Sequence, residues 1–581
     1  MYPTNKSVLQ LVSLLKAHGV KRYVISAGSR HKQIEIALGC DPFFEIYSVV
    51  DERSASFFAL GLIQKYDEPV GILCTSGTAS SNYCSAISEA YYQHLPLLVI
   101  TADKPSRIQD QQEDQMIHQV GQYASIAKFT TNLPEINSPS DEWHLNRLVN
   151  EALLELNHHG RGPVHINIPI ASYDDTFSVS ELPKFRIIKR YDYSSDFASH
   201  SEYLLDKKVL IVLGEGQPMS AAQKEKLDAF VKKYDCILMA DKMSNCHHNS
   251  VLENSLPLLQ ALSNADLKEL RPDLIITCRA NYSFNDAFKG FVRKCGGGIE
   301  HWYVSPSGKV VDPFKSLTTV FEMNEFDFMY KMAEASDKVA DSFDYSEIWK
   351  LIASSIDEPN FDFCHITAVG KLLRSIPKDC CVQLANSHTV RMAQYFKIDP
   401  SVKVFCNRGT DGIDGSMSTA VGFASPSDQL VYLLIGDLSF FYDMNALWNV
   451  HINKNIRIMM VNNGGGSILT VPNCNYPEGS QVPAYIKARH QATAKAWVED
   501  RGFKYFSARN MEELEQGIAS LSAIDSEVPM FLEVFTDNDT DFKLMSTYTS
   551  LINRTTLKEK LKNKAKNLSN RTLNLLTKLF K

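Results

Sequence analysis

The sequence predicts an α/β protein of three parallel-sheet domains, and three observations lead there. Short β-branched runs alternate with longer amphipathic segments in three successive blocks, the pattern of parallel strands joined by crossovers. The 581 residues are too many for one core, which stops growing at about 250–300, and about 100–200 residues per domain suggests three. A hydrophobic share of 44% and a charged share of 22% are those of an ordinary globular chain.

The first block, residues 1–180, offers VGILCTS (70–76), LPLLVITA (95–102) and VHINIPI (164–170) as strands, with a crossover helix from Ala79 to Tyr92. A polar run, SYDDTFS (172–178), follows as a linker. The second block, 181–345, has KKVLIVLGEG (207–216), CILMAD (236–241) and DLIITC (273–278). Its Gly214-x-Gly216 lacks the third glycine of a dinucleotide fingerprint, since Met219 stands there, and reads as a tight turn. The third block, 346–545, supplies CVQLA (381–385), VKVFC (402–406), LVYLLI (430–435), IRIMMV (456–461) and MFLEVF (530–535). A tail, 546–581, carries nine Lys/Arg against Glu559 alone, with Leu557, Leu561, Leu568, Leu575 and Leu579 at roughly helical spacing. It reads first as a solvated helix packed on the body or a neighbour, with peripheral membrane contact as the other reading.

A net charge of −7 gives no electrostatic reason to expect nucleic acid as a partner. The N-terminus lacks the compact apolar stretch of a secretory signal, and no apolar run reaches the roughly 18 residues of a membrane span. Twelve scattered cysteines with no Cys-x-x-Cys fit a reducing cytoplasm. Cys246-His247-His248 reads as a polar loop, because adjacent residues rarely converge on one metal without distant partners.

The chemistry concentrates in LVYLLIGDLSFFYDMNALWNVHINKNIRIMMVNNGGGSI (430–468). One apolar run delivers Gly436-Asp437; a helical stretch from about Asp443 follows; a second run delivers Asn462-Asn463-Gly464-Gly465-Gly466. A single βαβ crossover brings both clusters to the C-terminal edge of one sheet, where ligands bind in open α/β folds. A carboxylate, an amide oxygen and a backbone carbonyl are hard ligands that suit Mg²⁺, and the glycines admit a diphosphate. Upstream, in VVDERSASFFALGL (49–62), Glu52 follows a short strand and opens an apolar helix, where the dipole alone would favour an acid.

With these motifs the chain resembles the thiamine-diphosphate-dependent enzymes, whose signature is Gly-Asp-x followed one crossover later by Asn-Asn. The resemblance implies pyrimidine-binding, central and diphosphate-binding domains. It also implies thiamine diphosphate with Mg²⁺ (or Mn²⁺), held by Asp437, Asn463 and the Gly465 carbonyl, with Leu438, Ser439 and Ile468 against the coenzyme. Glu52 would be the catalytic acid that hydrogen-bonds the aminopyrimidine ring, and Ile413 the apolar residue that keeps the coenzyme bent. Glu52 and Asp437 would serve one coenzyme from different subunits, so a homodimer or tetramer is expected.

Four further strings, AGSR (27–30), TSGTASSNY (75–83), NSHTVR (386–391) and NRGTDGIDGSMSTAVG (407–422), narrow the resemblance. They are similar to a menaquinone-biosynthesis branch of transferases that decarboxylate 2-oxoglutarate and add the succinyl-semialdehyde carbanion to isochorismate. Substrate contacts would fall on Arg30, Lys104, Gln115, Ser387, Arg391 and Arg408, since anionic substrates call for guanidinium and other cationic groups. The chain departs from the branch at Ala27, His31 and Lys104, and where a Lys-Arg pair of the branch falls near Asn285-Asp286. Two acceptors therefore fit the sequence: isochorismate in an altered pocket, or a different molecule taken by a related decarboxylase or carboligase. A scaffold that has lost activity is a third reading, opposed by the survival of Glu52, Asp437 and Asn463.

Overall fold

A computed structural model describes residues 1–171, 176–279, 281–469, 476–477 and 479–552. Most of the linker run and of the basic tail lie outside these residues. The chain forms two compact units, one of Met1–Asp192 with Gly308–Glu322, the other of Tyr193–Ser307 with the described residues from Met323 onward. The middle and third sequence blocks thus share a unit, and a piece of the middle block belongs to the first.

The first unit is built on a six-stranded parallel sheet ordered Glu45–Ser48, Arg22–Ile25, Val70–Cys74, Leu97–Asp103, Val164–Pro169, Phe129–Asn132. Side chains alternate across it, as strand geometry requires. Leu73, Leu98 and Ile100 face one core with the helices Lys6–Ala17 and Pro139–Glu155; Ile72, Cys74 and Val99 face the other with Glu52–Tyr66 and Cys84–Tyr92. Both faces are covered, so Val70–Cys74 and Leu97–Asp103 are buried along their whole length. The strand Leu317–Glu322 returns to this unit and pairs in parallel with Lys189–Asp192.

The second unit holds two parallel arrays. One runs Val251–Leu252, Cys236–Ala240, Val209–Leu213, Leu274–Cys278, Glu300–Val304. The other runs Lys403–Cys406, Cys381–Leu384, Val431–Gly436, Ile456–Asn462, Met530–Phe535, Lys504–Ala508. Every strand proposed from sequence is present, and shorter edge strands join them.

Two helical expectations are corrected. The crossover expected from Ala79 to Tyr92 is two helices, Thr78–Ser81 and Cys84–Tyr92. The break is a tightened turn in which Asn82 N and Tyr83 N bond three residues back, to Ala79 O and Ser80 O, while Ser80 Oγ binds the Gly77 carbonyl. The helix expected from about Asp443 instead begins at Asp437 and ends at Tyr442, with a 3₁₀ turn over Met444–Leu447. Asp437 is the favoured acid of a first turn. Asp443 does not start a helix; its carboxylate accepts from Ser418 N and Oγ, both at 2.7 Å, on the neighbouring helix Ser416–Ala424.

Gly216 N donates to Met243 O in a tight turn before the helix Ala221–Lys233. Cys246, His247 and His248 point to different partners, Met219 Sδ, Glu253 and Asp228. All described cysteines are free thiols, and no helix among the described residues is long and apolar enough to cross a membrane. The helix Asn538–Leu551 covers the start of the tail.

Candidate active site

Each unit presents predicted residues at the C-terminal edge of a parallel sheet. In the first unit, Asp51 caps the helix Glu52–Tyr66 through Ser54 N, leaving Glu52 as its first residue, directly after the strand Glu45–Ser48. Asn82 Nδ2 donates to Glu52 Oε2 at 3.1 Å, so the turn between the two short helices holds the carboxylate. AGSR and TSGT leave adjacent strands, and Arg30 N donates to Thr75 Oγ1. The Arg30 guanidinium donates to the Ile170 carbonyl at 2.8 Å. Lys104 is buried with its ammonium 2.9 Å from Glu113. Gln115, exposed and at positive φ, lies against Gly77.

In the second unit, Ile413, Asp437, Leu438, Ser439, Asn463, Gly465, Ile468 and Ser387 all line one cavity of about 160 Å³. Asp437 is buried, and its carboxylate accepts Leu438 N at 2.7 Å, Gly465 N at 3.0 Å and Asn463 N at 3.1 Å. His490 Nε2 stands 3.2 Å away. Burial pushes the Asp437 pKa up, against the pull of those N–H groups and of His490. Gly465 is required: its φ is +141°, and a Cβ would lie 2.5 Å from the Lys487 carbonyl.

The oxygens of this edge would suit a hard cation. Asn538 Nδ2 donates to Asn463 Oδ1 at 3.5 Å and to the Gly465 carbonyl at 3.2 Å, so both oxygens face the same amide group. Asn538 Oδ1 beside them is buried with no hydrogen-bond partner among the described residues. An all-oxygen set with an orphaned acceptor suits Mg²⁺ far better than a thiophilic metal.

Sequence reasoning missed the groups that orient this set. Asp541, buried on the last helix, accepts Asn463 Nδ2 at 3.3 Å, Thr536 Oγ1 at 2.7 Å and His365 N at 2.8 Å. It thereby turns the oxygen of the Asn463 amide toward Asn538. The signal was available: Asp537-Asn538-Asp539-Thr540-Asp541 follows an apolar strand and emerges at the same sheet edge. His365 and His388 also line the cavity; burial lowers their pKa values to about 4 and about 3, so both are neutral at pH 7. His388 Nδ1 is 2.6 Å from Ser467 Oγ.

Arg391 and Arg408 follow neighbouring strands. Arg408 is buried, bonded to Asn386 Oδ1 at 3.2 Å and Asp411 at 3.0 Å. Arg391 donates to the Ser387 carbonyl at 2.8 Å, and Ser387 is held at φ +73°. Burial first, and Arg408 second, draw the Arg391 pKa down, so an anion placed there relieves a like-charge conflict. Arg391 also lines a second cavity, of about 350 Å³, with Asp286 and Tyr395.

Two family models match, the N-terminal TPP-binding domain of thiamine pyrophosphate enzymes over residues 8–122 and the C-terminal TPP-binding domain over residues 385–534. A 2-succinyl-5-enolpyruvyl-6-hydroxy-3-cyclohexene-1-carboxylate synthase of Bacteroides thetaiotaomicron is 40% identical, covering 94% of this chain and 99% of its own. Synthases of the same name from Phocaeicola vulgatus, 38% identical over 94% and 98%, and Flavobacterium johnsoniae, 32% over 94% and 99%, are similar throughout. With both coenzyme-binding domains and near full-length relatives in hand, the chain belongs to the thiamine pyrophosphate enzymes, in the family of 2-succinyl-5-enolpyruvyl-6-hydroxy-3-cyclohexene-1-carboxylate synthases.

Proposed function

We propose that this chain decarboxylates 2-oxoglutarate and joins the remaining four-carbon unit to isochorismate, giving the product for which its relatives are named. The observation that carries the reading is the single cavity at the sheet edge where Asp437, Asn463 and Gly465 meet, with Arg391 and Arg408 emerging from adjacent strands. Thiamine diphosphate, when bound with Mg²⁺, would supply the electron sink for the decarboxylation. The residues do the rest. Asp437, Asn463 and the Gly465 carbonyl would hold the metal, and Asp541 keeps the Asn463 amide in register. Glu52, steadied by Asn82, would hold or release a proton at its carboxylate toward the pyrimidine ring of a bound coenzyme. Ile413, whose carbonyl accepts Ser439 Oγ at 2.5 Å, is fixed against the site by that bond.

Arg391 and Arg408 bind the distal carboxylate of the oxo acid. Lys104 and Arg30 serve the acceptor, Lys104 as a point charge already shared with Glu113. Substrate contacts of Ser387 and Gln115 belong to the same proposal, as does a homodimer or higher assembly in which Glu52 and Asp437 of one site come from different copies.

Purified enzyme with coenzyme and Mg²⁺ should release CO₂ from 2-oxoglutarate and consume isochorismate in equal amounts. CO₂ release with isochorismate untouched would transfer the chain to a related carboligase with another acceptor. Arg408→Ala should raise KM for 2-oxoglutarate at least about tenfold, the loss of one charged hydrogen bond of about 1.5–3 kcal/mol.

A further inference from the structure

In the first unit, the loop after the helix Pro139–Glu155 meets the end of the strand Leu317–Glu322 at a cluster that the proposed reaction leaves unused. His158 Nε2 stands 3.1 Å from Glu322 Oε2, and His159 Nε2 touches the other oxygen of that carboxylate. The ligand-capable atoms of all three residues lie within 4.8 Å of one another.

The chemistry of His158 makes this more than an ion pair. Its Nδ1 is 2.9 Å from Glu155 Oε1, and a carboxylate only accepts, so Nδ1 carries the ring proton. With the proton on Nδ1 alone, Nε2 would direct its lone pair at Glu322. Its side chain is only 10% exposed, and Nε2 has no hydrogen-bond partner among the described residues. A proton on Nε2 or a metal cation bound by both groups would relieve that opposition. The Glu155–His158 bond is also the outer-shell carboxylate that fixes the tautomer of a metal-bound histidine.

The surroundings hold this geometry. Lys128 Nζ gathers the carbonyls of Glu155, His158 and Gly160, pinning the loop. Arg190 bonds both Glu155 Oε1 and the Gly308 carbonyl, each at 2.8 Å. Gly308, at φ +59°, leaves the interior open: a Cβ would lie 2.7 Å from Glu322 Oε2 and 2.9 Å from His158 Nε2. Metal–nitrogen bonds of about 2.1 Å in a tetrahedron put neighbouring ligand atoms roughly 3.4 Å apart, near the 3.1 Å between His158 Nε2 and Glu322 Oε2, while His159 would draw back slightly from the other carboxylate oxygen to admit an ion.

We propose that His158, His159 and Glu322 bind a divalent transition ion of the zinc class. Two imidazoles with one carboxylate favour Zn²⁺ over the Mg²⁺ preferred by the oxygen donors around Asp437. The fourth position opens to solvent beside His159, whose side chain is 65% exposed. The ion would tie the 158–159 loop to a strand 163 residues further on, a staple inside the first unit.

The test titrates the full-length, chelator-stripped chain with Zn²⁺ alone, without thiamine diphosphate or Mg²⁺. Wild type should bind one more Zn²⁺ per chain than His159→Ala, and Zn²⁺ should raise the thermal midpoint of wild type but not of the variant. Glu155→Gln, which removes no ligand, should weaken that binding about 10–100-fold. Glu322→Gln should abolish it, a second route should His159→Ala perturb folding. Equal uptake by wild type and His159→Ala, or no zinc-dependent shift in wild type, would show instead a protonated histidine–carboxylate network and overturn the proposal.

Discussion

Glu52→Gln should lower the rate of CO₂ release from 2-oxoglutarate by about 10²–10⁴-fold, the range lost with a positioned acid–base group. The substitution keeps size and shape, so the helix Glu52–Tyr66, capped by Asp51, should be undisturbed. Asn82 can still bond the amide oxygen that replaces Glu52 Oε2. What disappears is the proposed capacity to exchange a proton with the pyrimidine ring. Coenzyme affinity in Mg²⁺, followed by fluorescence quenching, should therefore change less than tenfold while turnover collapses. Turnover near wild type would remove Glu52 from the reaction.

Asp437→Ala should have the opposite signature, with coenzyme retention in Mg²⁺ weakened at least about a hundredfold, the loss of more than 2.7 kcal/mol of binding. The same change leaves Leu438 N, Asn463 N and Gly465 N without their acceptor. Charged hydrogen bonds contribute about 1.5–3 kcal/mol each, and with water entering the vacated space to replace part of the three, the variant should unfold more readily by about 2–4 kcal/mol. Asp437→Asn separates the two effects. With its amide oxygen in the place of Oδ2 it can still accept Asn463 N and Gly465 N, losing only the Leu438 N bond to Oδ1, but it lacks the charge proposed to bind the metal. Denaturant unfolding should therefore find it closer to wild type than the alanine variant, while its coenzyme affinity stays low. Full coenzyme affinity in both variants would sever Asp437 from the metal.

Much of this site was legible because its pieces are short, glycine-rich and local. Gly436-Asp437 and Asn462 to Gly466 sit at the ends of two strong apolar runs, and the sheet aligns Gly436 beside Val461. The inner strand Arg22–Ile25 and the edge strands Phe129–Asn132 and Lys504–Ala508 escaped because each is brief and mixes charged or polar residues with apolar ones. Asp541 and Asn538 escaped for a different reason: their partners, Asn463 and Gly465, lie more than 70 residues earlier, and no periodicity records a contact of that span. His490 is similar, reaching Asp437 from a loop whose only local signature is a polar composition. The return of Gly308–Glu322 to the first unit is likewise invisible to block-by-block reading, since its strand pairs with Lys189–Asp192 across more than a hundred residues.

The most direct measurement mixes two inactive proteins, Glu52→Gln and Asp437→Ala, after gentle dissociation and reassembly. If the two carboxylates of one site come from different copies, half of the random dimers are mixed and each carries one intact site, restoring roughly a quarter of wild-type CO₂ release. No recovery, with mixed dimers shown to form, would mean that these residues do not meet on one coenzyme across copies.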